Sequence, residues 1–388
     1  MIPYGRQQID NQDIEAVVDV LKSDWLTQGP LVPRFEQKII DFTGANYGVG
    51  VNSATSALHI ACIALGLGPD DILWTVPNSF VASANCGRYC GAEVDFVDIN
   101  SKTWNIDVDK LSEKLACAYV SGKLPKVIVP VHFAGQPTDQ ERIWELAKQY
   151  DVRVLEDCSH SIGASNSGEK TGSCRWADIA VFSFHPVKII TAVEGGIALT
   201  NNRDLFDRLI LLRQHGIARK CKSSSRHSGP NPYYEQNLLG FNYRLSDVHA
   251  ALGLSQFDKL DKFISERNKY AKRYDERLAD LPLFLPIVKS ENSSSHHLYV
   301  VRIDENRAQV TRKKVFEKFT QNEIYVGVHY YPIHLQPYYH NFGFRVGDFP
   351  EAEKHAEQAI TLPLYPGMGV ENQDVVIKVL KKVLYKSP

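Results

Sequence analysis

The feature that most limits what this chain can fold into is an alternation. Short apolar runs, each about one strand long, are separated by stretches whose apolar residues recur at helical spacing. Residues 94–97, 126–133, 153–156, 179–184 and 196–200 read as strands. Between the second and third, Ile143, Leu146, Ala147 and Tyr150 form a helical stripe. Strands separated by helices do not pair as hairpins. They join as parallel neighbours through crossovers, and the helices cover both sheet faces. The pattern therefore predicts an α/β fold with a mostly parallel sheet. Upstream, Ile14, Val17, Val18 and Leu21 mark an amphipathic helix over residues 11–22. Another helix follows Asn52, with Ala57, Leu58, Ala61 and Leu65 as its apolar stripe and Ser53 or Thr55 as its cap. A long helical region is predicted over residues 246–278. The polar, Ser-, Gly- and Pro-rich stretch 220–232 reads as an exposed loop. A chain of 388 residues exceeds one small core. We expect a large domain over 1–250 and a smaller mixed α/β domain over 251–388.

Composition removes several classes of function. A formal net charge of −1 gives no basic excess for nucleic acid and no acidic excess for disorder. No apolar run is long enough to span a membrane, and the N-terminus MIPYGRQQID has no signal-peptide core. The seven cysteines are odd in number and scattered, with only Cys86 and Cys90 close together, which fits neither a disulfide framework nor a zinc site. Free thiols in a reducing cytoplasm are expected. His296–His297 and His329, His334 and His340 match no metal-ligand spacing, so no metal is expected. Gly66 and Gly68 make no dinucleotide fingerprint.

Three segments carry chemistry. Lys188 closes Ser183-Phe184-His185-Pro186-Val187-Lys188, just past an apolar strand. Ligands of open α/β sheets bind at that edge, and lysine is the residue that forms Schiff bases, although a surface lysine would read the same. Asp157 ends the strand 152–157 and could hold a pyridinium proton, bind a metal or cap a helix. Asn52 to Leu58 leads a strand-like stretch into a helix, where free N–H groups and the hydroxyls of Thr55 and Ser56 could hold a phosphate or simply cap. Phe80 could stack on a cofactor ring or fill a core.

Taken in order, Asn52–Leu58, Ser79–Asn85, Glu156-Asp157 with His160, Ser183–Lys188 with Glu194-Gly195-Gly196, and Leu239-Gly240-Phe241-Asn242-Tyr243-Arg244-Leu245-Ser246-Asp247 resemble the DegT/DnrJ/StrS sugar aminotransferases over nearly the whole chain. The likeness is nearest to members of the pseudaminic-acid pathway, through Leu26-Thr27-Gln28-Gly29, Ser159-His160 and Val328-His329-Tyr330 with Pro332. The resemblance implies a fold-type I enzyme dependent on pyridoxal 5′-phosphate (PLP), a homodimer with shared active sites. Lys188 would carry the cofactor, Asp157 would pair its ring nitrogen, and His160 would lie beside it. Phe80 would stack on the ring, while Ala54, Thr55, Ser56 and Ser183 would hold its phosphate. Asn242 would reach the phosphate in the neighbouring subunit. Tyr4, Asp24, Trp25, Leu26, Thr27, His329, Tyr330, Tyr331 and Pro332 would contact cofactor or sugar nucleotide. The substrates implied are a UDP-linked 4-keto-6-deoxy-N-acetylhexosamine and L-glutamate.

Many relatives read Thr-Thr-Gly-Glu-Gly-Gly where this chain has Thr191-Ala192-Val193-Glu194-Gly195-Gly196. Three alternatives stand beside this reading. One is an aminotransferase for another nucleotide-linked keto-sugar, of bacillosamine or dTDP type. The second is a PLP-dependent dehydratase, which would carry histidine in place of Lys188. The third is a non-catalytic binding or regulatory relative.

Overall fold

The computed structural model describes residues 1–218 and 234–385. The loop expected over 220–232 lies outside the described residues. Seven strands form the main sheet: β1 (Tyr47–Val51), β2 (Ile72–Thr75), β3 (Glu93–Phe96), β4 (Val127–Ile128), β5 (Arg153–Asp157), β6 (Ile179–Ser183) and β7 (Gly196–Thr200). Their order across the sheet is β1-β7-β6-β5-β4-β2-β3. All neighbours from β3 through to β6 run parallel. Strand β7 is antiparallel to both β6 and β1. The reason is local: residues 184–195 form a loop, not a crossover helix, so the chain returns beside the strand it has just left.

Helices α1 (Asn11–Leu21), α2 (Leu31–Thr43), α3 (Ala54–Ala64), α4 (Ala82–Tyr89), α5 (Val108–Ser121), α6 (Gln140–Gln149) and α7 (Arg203–Arg213) accompany these strands. Ser53 caps α3 by accepting from Ser56 N–H, and Ala57, Leu58, Ala61 and Leu65 are all buried beneath it. The run 126–133 yields a shorter strand than expected. Pro130 has no N–H to donate, and the chain continues as a single bridge from Val131 to Asp157 and a 3₁₀ turn at Phe133–Gly135. The apolar run that forms β2 lies outside the strands read from the sequence.

The long helical region breaks at residues 258–259 into α8 (Asp247–Phe257) and α9 (Leu260–Leu278). The expected division at 250/251 falls within α8. Core membership changes further along. Leu260 and Phe263 of α9 pack with Phe182 and Phe184 of the large sheet's core, whereas Tyr270, Tyr274 and Leu278 join a second core. That second core lies on a small antiparallel sheet of β8 (Leu283–Phe284), β9 (Tyr299–Ile303) and β10 (Ala359–Leu362). Helices α10 (Arg312–Gln321) and α12 (Val370–Leu384) complete it, while Ala352 of α11 (Pro350–Gln358) packs into the large core. Among the described residues, no helix is long and apolar enough to cross a membrane.

Helix α1 forms where periodicity places it, but with a different inner face. Ile14 is 54% and Leu21 59% exposed, while Asp13 is fully buried. Asp13 accepts from Ser255 Oγ at 2.6 Å and Gln256 Nε2 at 2.7 Å, and pairs with Lys259 Nζ at 2.8 Å. A buried carboxylate persists because these three donors and Asp10 N–H, at 3.1 Å, replace its water.

Strand β7 and the start of α3 touch backbone to backbone. A Cβ on Gly196 would lie 2.5 Å from Ala54 N and 2.6 Å from Ser53 C. Gly196→Ala must therefore displace the beginning of α3, and we expect it to cost about 1–3 kcal/mol, as overpacking in a tight core does. Urea denaturation monitored by far-UV circular dichroism measures the cost. A change under about 0.5 kcal/mol, the scale of an ordinary surface substitution, would show that the contact is looser than described.

Candidate active site

The C-terminal ends of the parallel strands open into a cavity of about 720 Å³. Into it face the start of α3, the start of α4, the ends of β5 and β6, and the segments 297–298 and 329–330. Of the residues named from sequence, Tyr4, Ala54, Thr55, Phe80, Asp157, His160, Ser183, Lys188, His329 and Tyr330 line it.

Asp157 is its anchor. Alternation along β5 sends Asp157 to the cavity and Glu156 to the opposite face, where Gln140 Nε2 donates to it at 2.6 Å. Asp157 is 5% exposed, and its carboxylate accepts from Ser83 Oγ at 2.7 Å and from Ser159 N–H at 3.1 Å. Ser83 Oγ is also 2.8 Å from Ser79 Oγ. Ionised carboxylates have about four lone-pair sites, so two remain for a cationic partner. Ser83 was not singled out in the sequence, and Ser159 entered only as half of the Ser159-His160 pair, with no role given to it. Ser79 precedes α4 and Ser83 lies on its first turn, so no helical spacing links them in the sequence.

Lys188 lines the same cavity. Burial pulls its ammonium down to about 8, and the charge of Asp157 opposes the fall. Three histidines surround it. Burial, then the charge of Lys188, push His160 well below the usual imidazole range and His329 to about 4. Burial and the neighbouring His160 do the same to His297, whose ring lies 4.5 Å from that of His160. The neutral His160 has a defined tautomer. Its Nδ1 accepts from Ala134 N–H at 3.3 Å, so the proton sits on Nε2 and is donated to Tyr330 Oη at 3.2 Å. Tyr330's own hydroxyl proton is then left for a group in the cavity. Its backbone N–H donates to Asn78 Oδ1 at 3.0 Å, and the His329 ring is held by Thr361 Oγ1 at 2.7 Å.

The phosphate-type cradle is built from backbone. Ser53 Oγ is occupied by the cap, and the side chain of Ser56 turns to it at 3.0 Å, away from the cavity. Ala54 and Thr55 therefore present the helix start, whose first N–H groups have no intrahelical acceptor. Gly196 lets β7 pass beneath them. Ser183 Oγ lies at the end of β6, 3.5 Å from His185 N. Phe80 is 58% exposed and its ring borders the open volume. Val193, at the place of the family's glycine, takes φ 65°, a left-handed conformation that is costly for a β-branched residue.

The other named residues lie outside this chain's cavity. Asp24, Trp25, Leu26 and Thr27 are exposed, as is Asn242. Tyr331 points outward, opposite to Tyr330, and Pro332 is buried in the turn that follows. Two of these groups adjoin each other. Thr27 bridges Ser246, Asp247 N–H donates to Leu26 O at 3.0 Å, and the Asp247 carboxylate accepts from Gly29 and Leu31 N–H at 2.8 Å each.

Among the described residues, His132, Glu156 and Cys158 are close enough to suggest a metal ion. His132 Nδ1 accepts from Thr138 N–H at 3.0 Å. With Nδ1 taken up as an acceptor, the ring's N–H is at Nε2, which leaves no lone pair there for an ion.

Residues 7–381 match the DegT/DnrJ/EryC1/StrS aminotransferase family, and the chain belongs to it. It is 35% identical to the spore coat polysaccharide biosynthesis protein SpsC of Bacillus subtilis, over 99% of this chain and 97% of that one. Among solved structures it resembles Spr1654 of Streptococcus pneumoniae, assigned as a sugar aminotransferase and solved in its PMP form, with a TM-score of 0.91, 28% identity and 99% of both chains covered. It also resembles PseC of Helicobacter pylori, an aminotransferase involved in the biosynthesis of pseudoaminic acid, with a TM-score of 0.89, 30% identity and 99% of both chains covered. The protein is a PLP-dependent sugar aminotransferase. The cavity fits that cofactor: a buried carboxylate with lone pairs to spare, a lysine of lowered basicity, an open helix start and an exposed aromatic face.

In cofactor-free protein, acylation of Lys188 should titrate with a midpoint near 8. Asp157→Asn removes the opposing charge and should lower the midpoint further. Between that value and the ordinary 10.5, the folded chain has shed a proton that the unfolded chain keeps, so this group's contribution to stability rises with pH. Peptide-resolved mass spectrometry of acylated protein checks the midpoint. An ordinary lysine value, or no response to Asp157→Asn, would contradict the arrangement.

Proposed function

We propose that this enzyme moves the amino group of L-glutamate to the C4 keto carbon of a UDP-linked 4-keto-6-deoxy-N-acetylhexosamine, in a route to pseudaminic acid. The observation that carries this reading is the end-to-end likeness to PseC, joined to a cavity holding both Lys188 and Asp157.

In this reading Lys188 holds the cofactor and, once released, moves protons through its Nζ. Its lowered basicity suits both taking and returning a proton near neutral pH. PLP, when bound, supplies the electron sink for the carbon from which that proton is taken. Asp157 keeps a negative charge opposite the ring nitrogen, and Ser83 and Ser159 keep it aimed. The start of α3 with Thr55 and Ser183 would hold the phosphate, and Phe80 would stack on the ring. His160 and Tyr330 hold one donated proton pointing into the cavity, suited to an oxygen of cofactor or sugar. Tyr4 and His329, whose rings are 5.6 Å apart, form part of the wall toward the small domain. The division into a large domain over 1–250 and a small one over 251–388 belongs to this proposal, as does a cytoplasmic location, which free thiols favour.

We also propose a homodimer with shared sites. Asn242 and residues 24–27 are assigned to substrate or cofactor by resemblance, yet they lie outside their own chain's cavity and on one continuous backbone-bonded patch. A second copy facing that patch would receive them.

Two experiments test the reading. The purified protein is incubated with PLP, L-glutamate and a panel of UDP- and dTDP-linked 4-keto-6-deoxy sugars, and the products are read by NMR. The expected product is the 4-amino sugar from the UDP-linked N-acetylhexosamine; a clear preference for a dTDP sugar would overturn that substrate. Asp157→Asn should lose about 100-fold in rate, the scale of a removed electrostatic contact in a dry site, and Lys188→Ala should lose turnover altogether.

For the dimer, Lys188→Ala and Asn242→Asp are each made and co-expressed. A mixed dimer has one site carrying both lesions and one carrying neither, so activity should partly return. Folded heterodimers without recovery would place Asn242 in its own chain's site.

A further inference from the structure

The buried histidines around the cavity are held by their rings, with one exception. His160 Nδ1 accepts from Ala134 N–H at 3.3 Å, His329 Nδ1 lies 2.7 Å from Thr361 Oγ1, and His355 Nε2 donates to His329 O at 2.9 Å. His297 lines the cavity and is only 4% exposed, yet its ring is committed to nothing. Its Nδ1 is shut away without a hydrogen-bond partner, and its Nε2 forms no hydrogen bond among the described residues.

What fixes His297 is its backbone. Arg267, buried on α9, donates through Nη1 to His297 O at 3.0 Å, to Leu364 O at 3.0 Å and to His296 O at 3.3 Å. On either side of His297, Leu298 N–H donates to Ala134 O at 3.2 Å and Ser295 N–H donates to Gly135 O at 3.1 Å. The His297 ring rests 4.5 Å from that of His160. The result is an imidazole set in place with its hydrogen-bonding capacity unspent, the condition of a preorganised contact.

The charges of the cavity bear on what such a ring can receive. Among the described residues lining it, Lys188 is the one lysine and none is arginine. Lys188 holds the cofactor in the reading above, so it is not free to pair with an incoming carboxylate. An enzyme of this class takes two unlike substrates in turn at one place, an amino acid bearing carboxylates and a keto-sugar bearing hydroxyls. A fixed buried cation suited to the first would be left unpaired by the second, which is costly. A neutral imidazole avoids that conflict, and burial keeps His297 neutral by pushing it well below the usual range. No ring partner enforces a tautomer. Nε2 can therefore present either an N–H or a lone pair, a freedom that His160 lacks.

We propose that His297 is a contact shared by both substrates: Nε2–H donates to a carboxylate oxygen of the amino donor in one half of the reaction, and the Nε2 lone pair accepts from a sugar hydroxyl in the other. The ring proton changes nitrogen between the halves, through water that enters while the substrates exchange. The inference rests on the enzyme taking an amino acid and a keto-sugar in turn, and not on which sugar it takes.

The test uses PLP-loaded full-length protein. The ligands are 2-oxoglutarate (or the keto acid of whichever donor wild-type protein uses) and the keto-sugar that wild-type protein turns over. Neither has an amine to react with that form, so each gives a Kd by isothermal titration calorimetry. A wrong substrate shows in the wild-type titrations, and a wrong role for His297 shows only when the variants are set against them. His297→Leu should weaken both ligands by about fivefold or more, the scale of a lost hydrogen bond. His297→Gln, whose amide offers both a donor and an acceptor, should hold both within about threefold. Circular dichroism and cofactor absorbance should stay as in the wild type. NMR of wild-type protein with nitrogen-labelled histidine needs no variant: Nε2 should carry the proton with 2-oxoglutarate, and Nδ1 with the keto-sugar. One tautomer in both complexes would overturn the proposal. So would folded His297→Leu protein that binds both ligands as the wild type does or loses only one of them, or His297→Gln as weak as His297→Leu.

Discussion

A carboxylate buried at the end of a central strand is the constraint around which this molecule is arranged. Asp157 loses most of its water, and an ionised group in that position persists only when donors replace it. Ser83 comes from α4 and Ser159 from the turn after β5, so two separate pieces of chain are fixed by one side chain. The next residue back along the strand, Glu156, meets the same requirement on the other sheet face through Gln140. Period-two alternation thus gives two adjacent carboxylates different duties, one turned to the scaffold and one to the cavity.

The rest of the cavity keeps charge scarce. His160, His297 and His329 are all driven toward the neutral form, first by burial and then, at each of them, with the charge of Lys188 contributing. The effects reinforce one another, because a neutral histidine adds no repulsion that would lower Lys188 further. The outcome is a site whose buried opposing charges belong to Asp157 and Lys188, with Glu194 at its exposed rim and the neutral imidazoles acting as directional hydrogen-bonding groups. That is the electrostatic setting an aminotransferase needs, since fixed dipoles and one persistent anion stabilise charge changes without reorganising.

Much of this was legible in the sequence, and the limits have physical reasons. Strands β3, β5, β6 and β7 and the cap of α3 follow from apolar runs and residue chemistry. Lys188 and Asp157 are readable because each ends an apolar strand, and the sheet edge where strands end is a matter of topology. Ser83 was not, because a serine on a helix's first turn gives no sign of which distant carboxylate it meets. Strand β4 ends at Ile128, just short of Pro130, whose effect is visible in the sequence, yet the apolar run around it masks the break. The antiparallel direction of β7 depends on what the loop 184–195 fails to be, a helix. His160 shows the same limit at atomic scale: its position was evident, but its tautomer is set by Ala134 N–H, 26 residues away.

Helix α1 shows a subtler limit, and it bears on assembly. The period of its apolar residues gives a helix, but this chain covers the apolar stripe only in part, with Val17 and Val18 half-buried. Asp13 turns inward to Ser255, Gln256 and Lys259, while Ile14 and Leu21 stay exposed. Apolar periodicity marks a face that is to be covered and does not say by what. Trp25 and Leu26 are also exposed, at 57% and 49%, and the segment bearing them is bonded to the chain just beyond Asn242. Under the proposed shared-site dimer these facts have one cause. The same contact would cover Ile14 and Leu21, bring residues 24–27 and Asn242 to the partner's cavity, and leave α1 to dock on its own chain through the Asp13 cluster and Val20.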